Sequence, residues 1–212
     1  MTFRTPQTPE EIWKIIWPVL SKRYKRTATF LNYKNPWELT VAVILSAQTT
    51  DDGVNKVTPI LFKKYPTPQK LARANVHDVA KIIKTIGYYN AKARYIINAS
   101  KIVADDFRGV VPDDEEKIQK LPGVGRKSAV AIISNAYNKN IGIPVDTHVI
   151  RFAHRFRLSN KKDPSKIEQD LLAIIPKKNW KRAGYAIKEY GRKEGRARNY
   201  KQMEDPIWKI LH

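Results

Sequence analysis

The chain has 212 residues, enough to bury a sizeable core in one large domain or two small ones, and its 40 Lys and Arg against 20 Asp and Glu leave a net charge of +20 at pH 7. Such a surface seeks polyanions, whether nucleic acid, an acidic membrane surface or acidic proteins. Because the chain has no cysteine, composition excludes disulfides, a thiol nucleophile, a structural Cys-zinc site and a cysteine-ligated iron–sulfur cluster.

The first element opens at Thr8-Pro9-Glu10-Glu11, a cap with proline at the first helical position and an acid at the third. Ile12, Ile15, Ile16, Val19 and Leu20 follow it at helical spacing. Glu10, Glu11 and Lys14 would interrupt the apolar core of a secretory leader. The longest apolar stretches, 41–45 and 129–133, are far shorter than the ~20 residues of a membrane span, so an intracellular protein is expected. Lys22-Arg23-Tyr24-Lys25-Arg26 reads as helix-end charge. Asn35-Pro36-Trp37-Glu38 repeats the starting punctuation and opens the segment 37–48, apolar nearly all round and expected in the middle of the core. Thr50, Thr67, Asn75, Asn90, Asp113 and Asp163 are further caps. A helix over 91–107 would turn Ala93, Ile96, Ile97, Ser100, Val103 and Ala104 to one face, with Gly109 as its stop. No segment alternates as a strand. About ten short helices and an all-α fold are expected.

A short helix over 113–121, a turn at Pro122-Gly123-Val124-Gly125 and a helix over 126–137 make a helix-hairpin-helix. Glycines at 123 and 125 permit positive φ and bring backbone amides close to whatever docks, and the next helix adds its positive end. A phosphate fits such a turn, held without sequence reading; the bland alternative for the hairpin alone is an ordinary αα-turn with a glycine stop. Lys127 follows directly, where the helix dipole and partial burial would both disfavour a charged ammonium. An amine neutral for part of the time is a nucleophile. Asp146, in Val145-Asp146-Thr147-His148, is placed to cap the next helix, which fixes its side chain. Singly, Lys127 could be a phosphate contact and Asp146 only a cap. Together they suggest attack by the amine at a sugar C1′, with the carboxylate assisting departure of a base.

The stretch 121–129, Leu-Pro-Gly-Val-Gly-Arg-Lys-Ser-Ala, followed by Asp146 nineteen residues after Lys127 in Val-Asp-Thr-His-Val, resembles the helix-hairpin-helix DNA glycosylases, the endonuclease III group in particular. Residues 45–51, Leu-Ser-Ala-Gln-Thr-Thr-Asp, resemble that family's first DNA-inserting loop, and 84–93, Lys-Thr-Ile-Gly-Tyr-Tyr-Asn-Ala-Lys-Ala, its second. The likeness spans roughly 36–158. It implies a two-lobed enzyme with an active-site cleft between a lobe of 29–140 and a lobe of 1–28 plus 141–212. Lys127 would be the Schiff-base lysine and Asp146 the essential aspartate of a base excision repair enzyme. That enzyme removes oxidised pyrimidines of the thymine glycol type from duplex DNA and nicks the strand by β-elimination. Gln48 would fill the gap left by the extruded base and Tyr88 wedge into the stack. Gly123, Val124, Gly125 and Arg126 would hold the backbone. The resemblance further implies a monomer acting on duplex DNA with a damaged base or abasic site, nucleoid-associated in the cytoplasm if prokaryotic. It requires no metal and leaves room for a monovalent cation at the hairpin.

Two places depart from that pattern. Tyr88 stands where the family often has an aliphatic residue, so the wedge would be an aromatic ring. The four-cysteine loop that holds a [4Fe–4S] cluster in most relatives is replaced by 193–212, so the cluster is absent. Between Lys177 and Lys201 ten basic residues, Lys177, Lys178, Lys181, Arg182, Lys188, Arg192, Lys193, Arg196, Arg198 and Lys201, face only Glu189 and Glu194; the run reads either as a phosphate-binding surface or as a solvated basic face. Ile207, Trp208, Ile210 and Leu211 are expected to dock the tail by apolar burial. His148 should make a structural hydrogen bond, and His77 and His154 should lie on the surface. The competing functions are a monofunctional glycosylase of the same fold acting on mismatched thymine, uracil or adenine, and a silent DNA-binding module. Lys127 discriminates, because a monofunctional enzyme usually lacks it.

Overall fold

A computed structural model describes residues 8–194 and 200–211. In chain order they form α1 (Pro9–Arg23), α2 (Pro36–Ser46), α3 (Asp51–Lys64), α4 (Pro68–Ala72), α5 (Val76–Ile82), α6 (Tyr89–Asp105), α7 (Glu115–Ile118), α8 (Arg126–Ala136), α9 (Thr147–Arg155), α10 (Pro164–Ile174) and α11 (Trp180–Lys193). A short 3-10 turn at Lys177–Asn179 leads into α11, and two more, Gln202–Glu204 and Trp208–Ile210, follow it. No strand occurs among the described residues, and none of their helices is long and apolar enough to cross a membrane. The chain divides into two compact units, one of Met1–Ala28 with Asn140–His212 and one of Thr29–Lys139.

Polar caps start most helices because the first amides of a helix lack intrahelical partners. Thr8, Asn35, Thr50, Thr67, Asn75, Asp146 and Asp163 each accept a backbone N–H two or three residues ahead. Two expected caps are displaced. Asp113 forms an ion pair with Lys139 instead, and Asp114 caps α7 by accepting from Lys117 N. Asn90 lies inside α6, because Tyr88 turns the chain through left-handed backbone (φ 59°) and starts the helix there. The first arm of the hairpin is also shorter than 113–121, with helix only over Glu115–Ile118.

The Thr29–Lys139 unit is built around α2. All nine residues from Trp37 to Leu45 are buried, and α3, α6 and α8 pack on them. Each fully buried Leu, Ile or Val here contributes about 1.5–3 kcal/mol, which fixes α2 as the rigid axis of the unit. α6 turns Lys92, Ala93, Ile96, Ala99, Ser100 and Val103 inward, while the expected Ile97 and Ala104 are only half-buried. Its Ser100 hydroxyl accepts from Trp37 Nε1 at 3.2 Å. The chain leaves α6 at Gly109, whose φ of +82° costs a glycine little.

In the other unit α1 buries Ile12, Trp13, Ile16 and Leu20. Ile15 is 39% exposed and Val19 half-buried; Trp13, stacked on Trp17 at 5.2 Å, draws the stripe round toward itself. Tyr24, Phe152, Phe156 and Tyr190 form an edge-to-face cluster with centroids 4.8–5.9 Å apart, favourable for aromatic quadrupoles. Ile207 docks the C-terminal segment with no exposed surface, while Ile210, expected to dock, is 37% exposed. Asp205 gives this segment a polar anchor. It is 2% exposed and accepts from the Tyr190 and Tyr200 hydroxyls and from the amides of Ile207 (2.8 Å) and Trp208 (3.3 Å). Arg155 donates to the Tyr190 hydroxyl at 2.9 Å and lies 3.4 Å from the Tyr200 ring centroid. Burial, reinforced by Asp205, pushes the Tyr200 phenol up to about 12.

α9 and α11 approach closely at Gly191, where a Cβ would lie 2.5 Å from His148 Nδ1 and 2.7 Å from its Cβ. These are rigid atoms at the root of the ring, so Gly191→Ala must push the two helices apart. Urea unfolding is expected to show a loss of about 1–3 kcal/mol; an unchanged midpoint and slope would contradict this packing.

Candidate active site

Three features of the Thr29–Lys139 unit converge on its exposed loops. α2 ends at Ser46, and Gln48 follows in left-handed backbone with φ 52°. Its side chain is exposed. The second loop ends at Tyr88, also left-handed and 70% exposed. Neither residue is glycine, so both conformations carry strain of order 1 kcal/mol that the surroundings must hold. The two loops touch: a Cβ at Gly87 would lie 3.8 Å from Gln48 O and 4.0 Å from Thr49 Oγ1.

Beside them stands the hairpin. Gly123 has φ +84°, and a Cβ there would lie 3.1 Å from Ile44 Cγ2 and 3.5 Å from Tyr95 Cδ2, so both conformation and close packing demand glycine. Gly125 differs from expectation: its backbone is extended (φ −96°, ψ −177°), and nothing lies within 4 Å of where a Cβ would be. The fold therefore does not require glycine there. Val124 is buried and its amide donates to Leu121 O at 3.0 Å, so it anchors the turn from inside. The amides of Gly123 and Gly125 make no hydrogen bond among the described residues. α8 has no side-chain cap, and with α6 it is the exception in its unit. An uncapped helix end with free amides is a site prepared for an anion.

Arg126, the first residue of α8, is ion-paired with Glu115 and so ties the two arms of the hairpin together. Lys127 is the second residue of α8 and is exposed. The partial burial expected of it is absent, because the second helical position here points away from the apolar face formed by Ala129, Val130, Ile132 and Ile133.

In the other unit Asp146 is the N-cap of α9. Its Oδ1 accepts from the amides of His148 (2.8 Å) and Val149 (3.1 Å), while Oδ2 makes no hydrogen bond among the described residues. One oxygen is thus fixed by the helix and the other is available. The neighbouring His148 has its Nδ1 3.0 Å from Arg151 Nη2. Because guanidinium only donates, the ring proton of the neutral imidazole sits on Nε2. Burial pushes this imidazole down; Asp146 opposes the shift and Arg151 and Arg192 reinforce it. His154 lies on the surface with its Nε2 2.7 Å from Lys161 O.

The basic run is partly consumed by the fold. Arg182 donates to Ser21 O, and Lys193 and Lys201 pair with Glu189 and Glu204. Arg196 and Arg198 lie outside the described residues, as does His212. The donor set does not fit an iron–sulfur cluster, since no thiolate exists in the chain. Among the described residues no group of three or more His, Asp or Glu is arranged to hold a metal ion.

Sequence reasoning missed Lys92. It is 4% exposed, and its ammonium donates to Leu45 O (2.9 Å), Ala47 O (2.6 Å) and Thr49 Oγ1 (2.9 Å). Its place four residues before Ile96, on the inward face of α6, is the one signal in the sequence.

Residues 41–177 match the HhH-GPD superfamily base excision DNA repair proteins. Endonuclease III of Synechocystis sp. is 39% identical over 174 residues, 82% of this chain and 80% of that protein. A trapped endonuclease III–DNA covalent intermediate superposes with a TM-score of 0.90 at 34% identity, covering 97% of this chain and 96% of the other. A thermostable thymine-DNA glycosylase shares the fold alone, with a TM-score of 0.78 at 20% identity over 95% and 94% of the two chains.

Proposed function

The chain belongs to the HhH-GPD superfamily of base excision DNA repair proteins, and from this premise we propose a division of labour among its residues. It is a DNA glycosylase with AP lyase activity that acts on oxidised pyrimidines in duplex DNA. In our reading the observation that carries the site is the uncapped start of α8. Free amides at Gly123 and Gly125 precede an exposed lysine, so a DNA phosphate bound at the hairpin brings the sugar chemistry to an amine.

Extruding the damaged nucleotide costs a few kcal/mol, less for a lesion than for a paired base. Gln48 would occupy the vacated space and Tyr88 would stack in the opened step. The Lys127 amine, once deprotonated, attacks C1′: the N–C1′ bond forms as the glycosidic bond breaks, and the base leaves with a proton. Asp146 would stabilise the positive charge that develops on the sugar and take part in the proton transfers through its unbonded Oδ2. Opening of the sugar gives an imine, which acidifies C2′. Loss of that proton expels the 3′ phosphate and nicks the strand. Each step is carried by an amine, a carboxylate and amide dipoles, so no resident metal or cluster has a part in the proposed reaction.

Borohydride reduces an imine to a stable amine. Incubating the protein with borohydride and a duplex carrying thymine glycol or an abasic site is expected to give a covalent protein–DNA adduct on a denaturing gel. Excision without an adduct would transfer the reading to a monofunctional glycosylase, and neither excision nor adduct would leave a DNA-binding module.

A further inference from the structure

We propose that Lys92 is the positioning residue that locks the Gln48 loop and the Tyr88 loop into one rigid inserting unit. The proposal rests on the roles given above to Gln48 and Tyr88.

The Lys92 side chain is buried, and its three protons meet three acceptors: Leu45 O, Ala47 O and Thr49 Oγ1. Ala47 and Thr49 are the residues on either side of Gln48, so the ammonium brackets it. Through its backbone the same residue reaches the other loop, since Lys92 N donates to Tyr88 O at 3.0 Å. One residue therefore holds the flanks of one tip with its side chain and the carbonyl of the other tip with its main chain.

The need for such a strut follows from α2. A helix end leaves its last carbonyls without partners and carries partial negative charge. α2 has no basic residue in its last turn, and Ser46-Ala47-Gln48 offers no glycine to reverse the chain. Lys92 supplies the missing cap from another helix. No carboxylate is among its hydrogen-bond acceptors, so carbonyl dipoles carry the charge compensation. Burial pushes the ammonium down from its ordinary range, as expected for a cation withdrawn from water. These contacts also hold Gln48 in its left-handed conformation, which would otherwise relax. A tip that must enter a base stack gains from being held in advance, because ordering it during insertion would add to the barrier.

Lys92→Met keeps the length of the side chain and removes all three hydrogen bonds. The assay compares single-turnover excision from a thymine glycol duplex, with 2-aminopurine beside the lesion to report unstacking, against borohydride trapping on a single-stranded abasic oligonucleotide. The single strand needs Lys127 and no gap filling. Duplex excision is expected to fall roughly tenfold or more, with a parallel loss of the 2-aminopurine rise, while single-strand trapping is unchanged. A well-folded Lys92→Met with normal duplex excision overturns the proposal, and so does an equal loss on both substrates, which would assign Lys92 to folding alone. Should that variant not fold, Thr49→Val removes one acceptor at a half-buried position and decides the question: a smaller loss with the same substrate split supports the strut, and normal duplex excision overturns it. Gln48→Ala and Tyr88→Ala run alongside. If neither alters unstacking or excision, the insertion roles themselves fail, a result distinct from failure of the strut alone.

Discussion

Lys127→Ala is expected to reduce the borohydride-trapped adduct to background on both lesion and abasic duplexes, and to abolish strand nicking with it. The expectation follows from position: Lys127 is the one amine in the first turn of α8, next to the amides of Gly123 and Gly125. Arg126 is held by Glu115, and a guanidinium is not a nucleophile at neutral pH. Lys127 is exposed, so its truncation leaves no cavity and no buried partner, and the unfolding midpoint should stay at the wild-type value. DNA affinity should fall only slightly, since the amides of Gly123 and Gly125 and the open end of α8 remain. A variant that still forms the adduct would falsify the assignment of the nucleophile.

Asp146→Asn should separate capping from chemistry. Asparagine caps helices about as well as aspartate, and its amide oxygen can keep the hydrogen bonds now made by the amides of His148 and Val149. Folding stability should therefore change little. What disappears is the negative charge and the proton-accepting capacity of Oδ2. Turnover is expected to fall about 10²–10⁴-fold, equivalent to about 3–5.5 kcal/mol of barrier, with the dissociation constant for lesion duplex near wild type. Were affinity to drop in proportion to turnover, Asp146 would be a cap and nothing more. Asp146→Ala supplies the contrast: it loses the cap as well and should unfold earlier by about 1 kcal/mol.

Much of the local architecture could be read along the chain. Thr8, Asn35, Thr50, Thr67, Asn75, Asp146 and Asp163 cap helices as their spacing implies, because capping joins residues two or three apart and needs no distant partner. The segment 37–48, apolar nearly all round, marks α2 as central, and all nine residues from Trp37 to Leu45 are buried. Reading failed where a neighbour in space outvoted the pattern. Ile15 was drawn into the core by periodicity, but Trp13 and its stack on Trp17 rotate the buried stripe away from it. Asp113 looks like a cap until Lys139 captures it. Spacing along the chain also does not distinguish Val124, packed inside the turn, from Gly125, which faces open space.

The sequence alone determined the helical class, the hairpin, the lysine after it and the aspartate that caps the later helix. These are short-range patterns, and their physics is complete within a few residues. Tertiary structure alone decided how the tips are held. Lys92 lies 47 residues from Leu45 and 43 from Thr49 along the chain, and no local rule ties them. Its role exists only because α6 packs across the end of α2, burying an ammonium where unsatisfied carbonyls would otherwise face the core. Likewise Asp205 becomes an anchor only when Tyr190 and Tyr200 close over it. A buried polar group takes its meaning from partners that packing brings to it, and packing is the one thing that spacing along the chain does not record.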